Sequence, residues 1–116
     1  MKYMLLIYGD EHALDAAERQ ACYEESTALA QALARAGQYV AASPLQPTAT
    51  AASVRVRDGK PIVTDGPFAE TREQLGGYFL VDATSREEAL AIATRIPMAK
   101  RGTVEVRPVI EIPGLP

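Results

Sequence analysis

Asp65, Glu70 and Glu73 are the residues of this chain whose types and spacing come nearest to chemistry. Asp65 precedes Gly66-Pro67 at what reads as a strand end, and loops of that kind often line pockets. Glu70 and Glu73 would share a face on a helical turn and, with Asp65, form a carboxylate cluster. Such a cluster can hold a divalent cation, or raise one carboxyl pKa for acid–base work. The competing role for Asp65 is to cap backbone N–H groups of its own turn, as Asp does before Gly. For the glutamates it is a solvated surface whose charges pair with Arg55, Arg57 and Arg72.

Arg55 and Arg107 each project from a strand with apolar neighbours. A guanidinium there suits a carboxylate or phosphate ligand through bidentate hydrogen bonds, unless a cross-strand acid such as Glu105 takes it up. His12 is the one imidazole of the chain and stands alone in an acidic loop, where it reads as exposed rather than catalytic. Cys22 lies on an apolar helix face with no cationic neighbour in sequence, which reads as a small packing residue and not a nucleophile. One His and one Cys cannot build a structural zinc site of the Cys/His kind, so no metal is expected. The glycines lack phosphate-cradling spacings, and no other cofactor signature is present.

The scaffold for these residues is small. At 116 residues the chain fits one domain with one core. Apolar residues make up 47% and charged residues 23%, an ordinary globular balance rather than a disordered one. The net charge of −3 opposes a nucleic-acid partner, which needs a basic face to neutralise phosphates. The apolar run Met4 to Tyr8 is too short to cross a membrane, and the N-terminus lacks signal-peptide features. A single cysteine cannot form an internal disulfide, which fits the cytoplasm.

Lys2 to Tyr8 is apolar at both parities, as in a central strand covered on both faces. A helix follows from Asp15 to Ala36, with Glu18 completing a capping box and Gly37 ending it. Its apolar face carries Cys22, Ser26, Leu29, Leu33 and Ala36. Gln38 to Leu45 reads as a strand, and Thr48 to Ala52 as a loop. In Ser53 to Thr64, Asp58-Gly59 between alternating runs predicts a type I′ hairpin with Val54 opposite Val63 and Val56 opposite Pro61. Ala69 to Gln74 is expected to make one helical turn, and Gly76 to Asp82 a second apolar strand whose Gly76-Gly77 permits close backbone approach. Ser85 and Glu88 form a capping box for a helix showing Ala89, Ile92, Ala93 and Ile96, stopped by Pro97. Thr103 to Ile112 alternates as a half-buried strand.

With the hairpin set aside, the order is that of an α+β, ferredoxin-like βαββαβ fold: an antiparallel sheet with two helices on one face. The other face would be bare although the first strand is apolar both ways. A second copy of the chain would cover it, giving a homodimer or higher symmetric oligomer.

Three stretches carry a family resemblance: Met1-Lys2-Tyr3-Met4-Leu5-Leu6-Ile7-Tyr8-Gly9, the segment Val63 to Tyr78 around Asp65-Gly66-Pro67-Phe68, and Gly102 to Val109. With the Val54-Arg55 strand they resemble the DGPF-motif branch of the YCII-related proteins over essentially the whole chain. The resemblance implies a dimeric α/β barrel on a ferredoxin-like fold and little about activity. In the YCII branch proper, a His on the first helix and an Asp have been proposed as a catalytic pair. Counting back from Gly37, the matching position here is Ser26, so that pair is incomplete.

These readings converge on a dimeric module that binds a small polar ligand or a regulatory partner. The alternative is a small-molecule enzyme of lyase or isomerase type. In either case Asp65, Arg55, Glu70 and Glu73, joined by Arg107 and Ser26, would serve a pocket between helix and sheet or in the barrel lumen.

Overall fold

A computed structural model describes all residues, Met1–Pro116. The elements are β1 (Lys2–Gly9), α1 (Ala16–Arg35), β2 (Tyr39–Pro44), β3 (Ala52–Arg57), β4 (Lys60–Asp65), β5 (Gln74–Asp82), α2 (Arg86–Thr94) and β6 (Thr103–Pro108), with short 3₁₀ turns at Thr48–Thr50 and Pro97–Lys100. Four strands form one sheet in the order β2-β5-β1-β6, every neighbour antiparallel. That is the α+β, ferredoxin-like arrangement expected, with β1 central. The β3–β4 hairpin is a separate two-stranded ribbon inserted between β2 and β5.

Strand alternation decides what each face carries. Tyr3, Leu5, Phe79 and Val81 point to the helices and are buried, joined by Leu29 and Leu33 of α1 and by Ala89, Ile92, Ala93 and Ile96 at α2. Leu5, Leu33, Val81 and Ile96 are almost wholly removed from solvent and centre the core. On the opposite face the register pairs Met4 with Leu80 and Leu6 with Tyr78 in one ladder, and Met4 with Arg107 and Leu6 with Glu105 in the next. No helix of this chain packs on that face, where Met4, Leu6, Tyr78 and Leu80 are half-buried. The shortest dimension of the molecule, 19 Å, is the thickness of one helix layer on one sheet.

The helix ends follow local chemistry, with one change from the sequence reading. At α1 both halves of the capping box form: Glu18 N–H donates to Asp15, and Asp15 N–H donates to the Glu18 carboxylate. Ala36 closes this helix and is exposed, so the apolar face ends a turn earlier than its spacing suggested. At α2 the box is half built. Glu88 N–H donates to Ser85 Oγ, but the Glu88 carboxylate accepts from Thr84 (Oγ1 2.6 Å) and from Gln38 Nε2 (2.7 Å). The side chain thus ties the α1–β2 turn to α2.

Two other expectations are corrected. Ala69 to Gln74 is bent, extended chain and not a helical turn, because Thr71 Oγ1 donates to the Glu73 carbonyl and the Gln74 side chain to the Thr71 carbonyl. These local bonds compete with helical ones. The last strand ends at Pro108, where the ring removes a ladder donor; Val109 N–H still donates to the Lys2 carbonyl, and Ile110 and Ile112 beyond it are exposed.

Candidate functional site

Helix α1 crosses the sheet with one side filled and the adjoining side undercut. Leu29 and Leu33 fill the space over Phe79 and Val81. Beside them along the helix, Cys22, Ser26 and Ala30 are short side chains and only half-buried. Below them Gly76 and Gly77 contribute no side chain to β5. At Gly77 a Cβ would lie 3.0 Å from the Ser43 carbonyl oxygen and 3.3 Å from Pro44 Cα, so the glycine lets β5 and β2 approach closely. Small residues above and none below leave a cavity of about 320 Å³, walled also by Tyr23, Tyr39 and Met98.

The cavity does not end there. A neighbouring hollow shares Ile7, Cys22, Tyr23 and Gly76 with it and continues past Leu14 and Arg19. A third, lined by Arg19, His12, Glu70, Arg72 and the Gly66-Pro67 turn, shares Asp10, Glu11, Arg19 and Gln74 with the second. The three make one groove, apolar under α1 and polar at its mouth.

The mouth is fixed by hydrogen bonds between loops distant in sequence. The Glu11 carboxylate accepts from Thr48 N–H and Thr48 Oγ1, both at 2.7 Å, which joins the β1–α1 loop to the β2–β3 connection. Asp10 accepts from His12 N–H at 2.9 Å and faces Arg72 Nε at 3.8 Å. Arg19 donates to the Leu14 carbonyl at 3.3 Å and forms no ion pair, so its guanidinium keeps donors for a ligand.

The candidates from the sequence scatter across this frame. Ser26 lines the apolar end and Glu70 the mouth. Asp65 ends β4, exposed, and its carboxylate takes up no hydrogen bond; it does not cap its own turn. The turn is instead held by Gly66 N–H donating to the Ala51 carbonyl (2.7 Å) and Ser53 Oγ to the Gly66 carbonyl (3.0 Å), while Gly66 adopts a φ of 99° open to glycine. Glu73 accepts from Thr103 Oγ1 at 2.8 Å. The proposed carboxylate cluster is therefore not assembled, and no group of three or more His, Cys, Asp or Glu side chains is placed to hold a metal ion. Without the helical turn, Glu70 and Glu73 share no face, and Arg72 turns to Asp10 rather than to either of them.

Arg55 stacks on Phe68, its guanidinium carbon 5.2 Å from the ring centroid. Arg107 lies on the open sheet face, where it pairs with Glu105. Neither reaches the groove. Arg19, Glu11 and Met98 were missed by the sequence reading, because their approach depends on loops meeting across the fold. Cys22 with Ser26 and the Gly76-Gly77 pair were visible signals: small residues at facing positions mark a void as readily as a close contact.

Residues 1–113 match the model of the YCII-related domain, and the protein belongs to that family. It is also 39% identical over 113 residues to an uncharacterised protein of Rhizobium meliloti (strain 1021), a match spanning 93% of this chain and 91% of that one. No helix is long and apolar enough to cross a membrane.

Proposed function

We propose that this YCII-related protein is a dimeric binding module whose groove beneath α1 takes a small molecule with an apolar body and a polar or anionic head. The observation that carries the reading is the continuity of the groove. Its apolar end is of the size small ligands occupy, and it leads to a mouth where Arg19 has no acidic partner. A ligand would place its body against Ser26, Ala30 and Phe79 and its head near Arg19. The motif Asp65-Gly66-Pro67-Phe68, whose Gly66 and Pro67 line the mouth, supports the DGPF branch of the family.

The dimer half of the reading rests on the open sheet face. Met4, Leu6, Tyr78 and Leu80 sit together there, each half-buried within its own chain, and a contiguous apolar patch of this kind supports an interface. Stacking two such faces about a two-fold axis buries both at once. Cytoplasmic residence follows from the single cysteine.

Protein-observed NMR tests the groove. Small aromatic and branched aliphatic carboxylates, titrated into ¹⁵N-labelled protein, are expected to shift Ser26, Ala42 and Gly77 together, with Arg19 responding to the acids and not to matched alcohols. Ser26→Trp, which fills the apolar end, is expected to abolish the shifts. Shifts scattered over the surface, or unchanged in Ser26→Trp, would overturn the assignment.

A further inference from the structure

We propose that the β3–β4 hairpin is an arm whose apolar side, formed by Val54, Val56, Pro61 and Val63, lies against a second copy of this chain. The inference rests on the dimer reading above and assigns it a contact that the open sheet face does not supply.

The hairpin is well formed but unsupported. Asp58 and Gly59 have φ of 51° and 75°, the type I′ geometry, and all six residues of β3 pair with β4 in register. Yet neither strand packs substantially on any helix or strand of the body. A two-stranded ribbon alone in water is marginal and needs a further apolar surface to persist. This ribbon is built for one. Val54, Val56 and Val63 share one side and are 65%, 59% and 66% exposed, while Arg55, Arg57 and Lys60 take the other. The arm also stretches the molecule: the radius of gyration is 15.9 Å, against about 13 Å for a compact chain of this length.

Charge and reach point to a second copy as the occupant. Residues 52–65 carry Arg55, Arg57 and Lys60 against Asp58 and Asp65, a net +1, which leaves −4 of the total −3 on the rest of the chain. The cationic side chains lie opposite the valines, so this charge draws the arm toward an acidic body at long range and leaves the contact itself apolar. Strands of six residues extend roughly 20 Å, about the width of a four-stranded sheet. An arm leaving the β2–β5 side of one copy can thus cross the neighbouring copy. Its base, the Gly66-Pro67 turn, lines the groove mouth, so a docked arm would also steady that mouth.

The test combines sedimentation equilibrium with hydrogen exchange on the full chain, wild type against Val54→Asp/Val63→Asp. Wild type is expected to dimerise, with arm amides exchanging at least tenfold more slowly in the dimer than after dilution to monomer. The double variant is expected to dimerise at least tenfold more weakly, with unchanged circular dichroism and unchanged exchange in β1 and α1. If wild type dimerises but the variant does so equally well, or the arm exchanges at one rate in both states, the arm contact is wrong and the sheet-face dimer stands. Arm protection by an added polyanion such as heparin, without protection on dimerisation, also overturns it. A wild type that stays monomeric overturns both readings.

Discussion

The Arg55 guanidinium carbon lies 5.2 Å from the centre of the Phe68 ring, which fastens the hairpin to the turn that lines the groove mouth. The pair is exposed, so its worth is small but local. Phe68→Ala is expected to speed exchange of the Ser53 and Gly66 amides by about two- to fivefold, the scale of an exposed cation–π contact. Global stability should be unchanged, because the hairpin does not pack on the core. Equal exchange in the variant would show that the two hydrogen bonds of the turn hold the base without the ring.

Two glycines are expected to resist replacement for the same physical reason. At Gly77 an added methyl meets Ser43 and Pro44 backbone, and at Gly102 it meets the Tyr8 carbonyl oxygen more closely still. Backbone cannot swing aside as a side-chain tip can, so Gly77→Ala should cost about 1–3 kcal/mol, the usual range for overpacking. Gly102→Ala should cost more. Urea unfolding of both variants measures this, and a Gly102→Ala protein as stable as wild type would contradict the close approach.

Acid should weaken the fold through two carboxylates. Hydrogen bonds from Thr84, then from Gln38, hold the Glu88 carboxyl below its ordinary range. The Met1 ammonium does the same for Asp82, by its hydrogen bond and then by its charge. A carboxyl with a depressed folded pKa contributes stability above its unfolded value, and this is lost as pH falls through the folded one. The loss for Glu88 therefore begins near its ordinary value of 4.5 and grows below it. Glu88→Gln is expected to be less stable than wild type at pH 7, with the difference narrowing as pH falls below 4.5. A difference that stays constant with pH would place the role of Glu88 outside its charge.

Much of the architecture was legible because local chemistry and global fold agree. Lys2 to Tyr8 is apolar at both parities and becomes the central strand; Asp58-Gly59 dictates the turn it makes; Asp15 with Glu18 opens α1. Reading failed where a local alternative won. The Thr71 and Gln74 side chains bond to nearby carbonyls and unmake the expected helical turn, and with it the carboxylate cluster. The groove was half visible. Ser26 could be placed on the inner face from its spacing, whereas Arg19 and Glu11 reach the mouth through contacts spanning loops, which no short-range pattern encodes.

The open face of the sheet is the claim on which the dimer, the arm and the steadied mouth all depend. Leu6 stands at its centre, between Tyr78 on one strand and Glu105 on the other. A carboxylate there would be buried unpaired in a dimer and harmless in a monomer. Light scattering coupled to size exclusion, on wild type and Leu6→Asp, measures this directly. The expected result is a dimer for wild type and a folded monomer for the variant. A monomeric wild type, or a variant that keeps the dimer mass, would contradict the account.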